Sequence, residues 1–150
     1  QTFGLQFDRE YVITRCIELK RDVVMEDEFD TGARQMLNLG HTVGHSIEKC
    51  SNYSLSHGKA VAIGIAVIAK ASASNGFCVS TIYDDIIGVL NRFTLPCSTS
   101  LSADLLAENA LSDKKRFGGT INLVLPRKIG KCALHPIPVG ELKSFFEAGL

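Results

Sequence analysis

Arg34-Gln-Met-Leu-Asn38-Leu-Gly-His41-Thr-Val-Gly-His45-Ser-Ile-Glu48 is the stretch on which the reading of this chain turns. Its spacing predicts one helix from about Ala33 to Cys50. At roughly 100° of rotation per residue, Arg34, Asn38, His41, His45 and Glu48 share an arc of about 80°. Met36, Leu39, Val43 and Ile47 lie on the opposite side. Gly40 and Gly44 fall four apart on a flank, where another element can approach closely. A solvated face usually carries flexible Lys and Glu. This one carries imidazoles, a guanidinium and an amide, groups that ligate metals, shuttle protons and bind anions.

His41 and His45 stand one turn apart, with Cβ atoms about 5–6 Å from each other, a spacing that suits two ligands of one metal. Thr42 follows His41, so the general-base Glu of an HExxH helix is missing. His57 opens the next helix after a short loop, and a helix–loop–helix hairpin returns it toward the first. His135 has no such cluster around it and reads as structural.

Outward from that stretch the chain is mostly helical. Asp8 to about Val24 carries Tyr11, Val12, Cys16, Ile17, Val23 and Val24 at helical spacing. His57 to about Asn75 is rich in Ala, Val and Ile on most sides and so predicts a central, buried helix stopped by Gly76. Thr81–Phe93 and Ala103–Ala110 read as further helices, with Pro96 closing the first. Thr120–Pro126 reads as a strand that pairs with Lys131–Ile137 across a turn at Gly130. Glu141–Phe146 closes the chain as a last helix. The expected fold is mainly α, one helical domain over residues 1–150 with one small β-hairpin. No GxGxxG loop follows a strand, so no dinucleotide site is expected within it.

Composition narrows the class. One domain suits 150 residues, and 45% hydrophobic residues argue for a packed core. Sixteen basic residues balance sixteen acidic ones, which gives no general pull toward nucleic acid or an anionic membrane. The five cysteines contain no CxxC pair, which speaks against a disulfide framework or a thiolate metal site and fits a reducing cytoplasm. Neither a signal peptide nor a membrane span is expected. Gln1 at the start suggests a processed chain or a piece of something longer.

The run Leu37 to Glu48, followed by His57-Gly58-Lys59-Ala60-Val61-Ala62-Ile63-Gly64, resembles the signature of 3-dehydroquinate synthases. The resemblance extends upstream through Ile17-Glu18-Leu19-Lys20 and Thr31-Gly32-Ala33-Arg34, and downstream through Asp113-Lys114-Lys115 and the strand after Gly118. It implies the C-terminal domain of a cytoplasmic, two-domain lyase of the shikimate pathway, homodimeric as the full enzyme, which serves aromatic amino-acid biosynthesis. That enzyme closes 3-deoxy-D-arabino-heptulosonate 7-phosphate, a phosphorylated keto acid, into 3-dehydroquinate and phosphate. An N-terminal domain, absent here, binds NAD and supplies a Glu metal ligand, so the chain alone is expected to be inactive.

The same resemblance assigns His41 and His57 to a divalent cation, zinc or cobalt, and His45 to substrate contact and proton transfer. It assigns Lys20, Arg34 and Asn38 to the substrate, and one of Lys114 and Lys115 to its phosphate. The residue types suit the task. The planar fork of Arg recognises a carboxylate well, a Lewis acid polarises the hydroxyl being oxidised, and transient oxidation by NAD acidifies the neighbouring carbon so that phosphate can leave. Lys59 stands where the family usually has Glu, and a cation in a first turn opposes the helix dipole. The competing readings are a related NAD- and metal-dependent polyol dehydrogenase, another sugar-phosphate cyclase, or a non-catalytic helical metal-binding module. Arg34 argues against cyclases of sugars that lack a carboxylate. A dehydrogenase would not need Lys20, Arg34 and Lys114/Lys115 together.

Overall fold

The computed structural model describes residues 8–29, 32–112 and 119–150. Lys114 and Lys115 lie outside the described residues. The chain separates into two compact units, residues 1–37 and 38–150.

In the first unit, helix α1 spans Arg9–Glu26. Asp8 caps it, its carboxylate accepting from the Tyr11 amide at 2.9 Å. None of its residues is buried, despite the helical spacing of its apolar positions. The turn that follows is organised by Asp27, whose Oδ2 accepts from the amides of Gly32 at 2.7 Å and Arg34 at 3.0 Å. The Arg34 guanidinium donates to the Glu28 carbonyl at 2.8 Å.

The expected single helix over Ala33–Cys50 is not formed. A 3₁₀ helix covers Ala33–Asn38, a turn passes through Leu39 and Gly40, and helix α2 begins afresh and spans His41–Cys50. Gly40 has φ +77°, a left-handed conformation that no helix interior accommodates. The common arc therefore holds for His41, His45 and Glu48, but not for Arg34 and Asn38.

In the second unit, helix α3, His57–Ser74, is the centre. Ala60, Ile63, Val67, Ile68 and Ala71 are buried along it. It packs against α2, against α4 (Ser80–Arg92) and against α6 (Leu142–Glu147), while α5 (Ala103–Ser112) packs on α2 and α6. Val43, Ile47, Leu106, Leu123, Leu125, Leu142 and Phe146 complete one core around it. The two buried hydroxyls turn back on their own helices, Ser46 to the Thr42 carbonyl and Ser72 to the Ile68 carbonyl, so neither is left unpaired.

Strands β1 (Thr120–Lys128) and β2 (Lys131–Pro138) form the expected antiparallel hairpin, from Thr120 opposite Pro138 to Lys128 opposite Lys131. Gly130 takes φ +78° at its turn. Each strand has one unpaired edge, which accommodates Pro126, Pro136 and Pro138. An irregularity between Pro126 and Lys128 sets Arg127 aside. Its guanidinium lies 5.1 Å from the Phe77 ring centre, donating to the Phe77 carbonyl. His135 packs its ring 4.4 Å from the same Phe77. All five cysteines are free. Among the described residues, no helix is long and apolar enough to cross a membrane.

Candidate metal and substrate site

The site is built by how closely α2 and α3 approach. A Cβ on Gly40 would stand 2.5 Å from the Ile65 amide nitrogen, and one on Gly44 would stand 3.1 Å from the Val61 Cα. A Cβ on Gly64 would run into the Gly40 carbonyl oxygen. Three glycines thus let two helix backbones touch, the close approach that the spacing of Gly40 and Gly44 predicts.

That approach runs the helices antiparallel, Gly40 against Ile65, Gly44 against Val61 and Glu48 against His57, so that the ring of His57 at the start of α3 meets those of His41 and His45. The His41 and His45 ring centres are 5.5 Å apart, His41 and His57 5.3 Å, and His45 and His57 5.8 Å. Three imidazoles form a nearly equilateral triangle. His41 is half-buried, whereas His45 and His57 are exposed.

The rings differ in what holds them. His41 Nδ1 lies 3.3 Å from the Leu39 carbonyl oxygen. His57 Nδ1 lies 3.1 Å from Glu48 Oε1. Both partners accept, so both rings carry the proton on Nδ1 when these bonds are made, which leaves Nε2 as the free lone pair. His45 has no hydrogen-bonded partner among the described residues. Its pKa is lowered, first by burial, then by charge on His41, with His57 and Lys49 adding and Glu48 opposing.

Two descriptions of the donor set differ. By single donor atoms, His45, Glu48 and His57 form a cluster within 4.8 Å of one another. By hydrogen bonding, His41 and His57 are the pair oriented as metal-ligating histidines usually are, with the second nitrogen on a carbonyl or a carboxylate. Imidazoles with a carboxylate suit a borderline divalent ion such as zinc or cobalt.

Asn38, His41, Thr42, His45, Ser46, Lys49, Asn109 and Ala110 line a groove of about 200 Å³ beside the triangle. Asn38 therefore lines the same groove as His41 and His45, although the helix that was to carry it is broken. Lys20 stands exposed on α1, and Arg34 is half-buried on the 3₁₀ helix. Lys59 is exposed and lines a different groove, with Leu55, Asn91 and Leu95. Two contributors, Lys49 and Asn109, escaped the sequence reading, and a third, Glu48, was read without its contact. Lys49 follows directly on the polar stripe and had that much signal. Glu48 was visible in the stripe without its partner. Asn109 arrives from α5 and has no local signature.

The fold is shared with solved synthases. The chain superposes over its full length on 47% of a 2-deoxy-scyllo-inosose synthase complexed with carbaglucose-6-phosphate, NAD+ and Co2+ (TM-score 0.79, 22% identity). Over 91% of its length it matches 39% of a 2-epi-5-epi-valiolone synthase from Streptomyces hygroscopicus with NAD+ and Zn2+ bound (TM-score 0.78, 20% identity). Residues 5–116 match the family model described as 3-dehydroquinate synthase C-terminal. The chain belongs to the 3-dehydroquinate synthase family. It is 39% identical over 140 residues to the 3-dehydroquinate synthase of Streptococcus suis, and 42% identical over 135 residues to that of Pelobacter propionicus. It spans 39% and 38% of the length of these two relatives.

Proposed function

We propose that this chain is the metal- and substrate-binding part of an enzyme that converts 3-deoxy-D-arabino-heptulosonate 7-phosphate into 3-dehydroquinate and phosphate, a cytoplasmic step of the shikimate pathway. The observation that carries the reading is the triangle of His41, His45 and His57 beside a groove lined by Asn38, in a chain of this family. The groove's volume, about 200 Å³, falls below the roughly 300–1,000 Å³ of a small-molecule site. That size supports a site completed by other parts of a longer protein. Residues 1–150 then act as one part, and an N-terminal portion contributes the NAD site and a glutamate ligand, in a homodimer.

His41 and His57 would hold the ion, zinc or cobalt, their Nδ1 atoms being engaged by the Leu39 carbonyl and Glu48. When bound, the ion supplies Lewis acidity toward the hydroxyl to be oxidised, and NAD supplies a transient oxidation that acidifies the adjacent carbon. His45, with its pKa lowered, is neutral near pH 7 and accepts and returns a proton at a ring nitrogen. Asn38 hydrogen-bonds the substrate from the groove wall. Lys20 and Arg34 supply positive charge, Arg34 toward the carboxylate. Lys114 or Lys115 neutralises the phosphate that leaves.

The test uses the full-length enzyme, meaning this chain continued by an N-terminal portion of the family. It is supplied with NAD, zinc and the keto-acid phosphate. Phosphate release without net accumulation of NADH is the expected result. Net NADH formation from a polyol would indicate the dehydrogenase reading instead. Phosphate release by the 150-residue chain alone would overturn the two-part site.

A further inference from the structure

We infer that Glu48 is a positioning residue for the metal centre: its carboxylate accepts the Nδ1 proton of His57 and so fixes the ring that presents Nε2 to the ion. The inference rests on the metal assignment above and extends it to a residue outside the ligand set. Glu48 lies on α2, three residues after His45, and His57 opens α3, so the contact crosses the helix pair. The Oε1–Nδ1 distance is 3.1 Å. The His57 side chain is 56% exposed and has little packing to hold it, whereas the Glu48 side chain is only 13% exposed. The more buried carboxylate therefore orients the more exposed ring. Sequence alone could not pair them, because they stand nine positions apart across a loop.

His41 shows the same arrangement with a different acceptor, the Leu39 carbonyl at 3.3 Å. Carboxylates and backbone carbonyls are the two usual partners of the non-ligating nitrogen of a metal-bound histidine. Two rings of the triangle thus share one orientation rule, and His45 stands outside it. With the ion bound, the carboxylate also offsets part of its charge. The rival role for Glu48 is direct ligation alongside His45 and His57, since the three offer donor atoms within 4.8 Å of one another. A carboxylate that accepts from Nδ1 leaves that nitrogen protonated and unable to ligate, so the two roles exclude each other for one His57 tautomer.

The experiment measures metal affinity, not turnover. Full-length enzyme is stripped with a chelator and titrated with Co2+, for the wild type, Glu48→Gln, Glu48→Ala and His57→Ala. Circular dichroism checks that each variant is folded, and the near-isosteric Gln protects against loss of the fold. Glu48→Ala should weaken Co2+ binding by about 10–100-fold. Glu48→Gln should recover most of that, because its amide oxygen still accepts from Nδ1. At saturating metal, both variants should keep the visible Co2+ spectrum of the wild type, since the ligand set is unchanged. Wild-type affinity in Glu48→Ala overturns the inference. So does a changed spectrum with affinity as poor as in His57→Ala, which would make Glu48 a ligand. His57→Ala with wild-type affinity would instead refute the metal assignment itself, whatever Glu48 does.

Discussion

The backbone of Gly64 lies against the Gly40 carbonyl, and this contact sets the spacing of α2 and α3 on which the histidine triangle depends. A methyl at Gly64 has to push the helices apart, because the atoms it meets are backbone and cannot rotate away. Gly64→Ala should cost about 1–3 kcal/mol by overpacking. The denaturant midpoint should fall at an unchanged m-value. Gly88 supplies the contrast. It is an exposed helical glycine in α4 with open space around its Cα. Gly88→Ala should therefore stabilise the chain by about 0.5–1 kcal/mol. Equal effects at the two sites would show that helix propensity, not the Gly40–Gly64 contact, governs both.

The cysteines give a chemical check on the burial pattern. Burial pushes the Cys132 thiol above its ordinary range, and burial also raises Cys78, partly opposed by Arg127. The thiolate is the reactive form, so a raised pKa leaves less of it near neutral pH. Cys16 is exposed on α1. Iodoacetamide treatment of the folded chain, followed by peptide mapping, should show Cys16 alkylated first and Cys132 far behind. The Cys132 rate should keep rising as pH climbs beyond the usual thiol range. Comparable rates at the two sites near neutral pH would contradict the packing of β2.

Much of this architecture is legible locally. The Ala, Val and Ile that surround α3 mark it as central, Gly76 takes the positive φ that ends the helix region, and Gly130 turns the hairpin. The break at Gly40 was not legible. A glycine inside a helix costs only about 1 kcal/mol relative to Ala, so local preference permits a continuous helix through it. The close approach of Gly64 and Ile65, residues of the next helix, is what fixes Gly40 in its left-handed turn. Glu48 and Asn109 show the same limit at the site. Each acts through a partner or a wall brought from elsewhere in the chain. The histidines were readable because two of them share one turn of α2 and the third begins the next helix.

Arg34 is proposed to hold the substrate carboxylate, so its loss should appear in binding and not in metal content. In the full-length enzyme, Arg34→Ala should raise KM for the keto-acid phosphate. The cost should be about 1.5–3 kcal/mol, the range of a hydrogen bond to a charged group. Arg34→Lys should recover little of it, because a point charge does not reproduce the planar fork. Elemental analysis should find the same metal as in the wild type. The guanidinium also donates to the Glu28 carbonyl, so a melting curve should accompany the kinetics. Loss of metal along with activity would remove the carboxylate role.

The three histidines should separate into two functions. In the full-length enzyme, His41→Ala and His57→Ala should each strip the divalent ion, because each ring is fixed through Nδ1 with Nε2 left to ligate. His45→Ala should keep metal content near that of the wild type. It should slow turnover by roughly 10²–10⁴-fold, the usual loss for a general acid–base group. The geometry allows this division: His45 sits one turn beyond His41, in ring contact with both other imidazoles, yet without a hydrogen-bonded partner among the described residues. A catalytic ion usually takes three protein ligands and a water, so two histidines from this chain leave a place for one ligand from the N-terminal portion. The 150-residue chain alone should accordingly bind zinc weakly. Metal analysis of the three purified variants decides the matter. If His45→Ala loses the ion while His41→Ala retains it, the ion belongs to the cluster of His45, Glu48 and His57, and proton transfer must be assigned to His41.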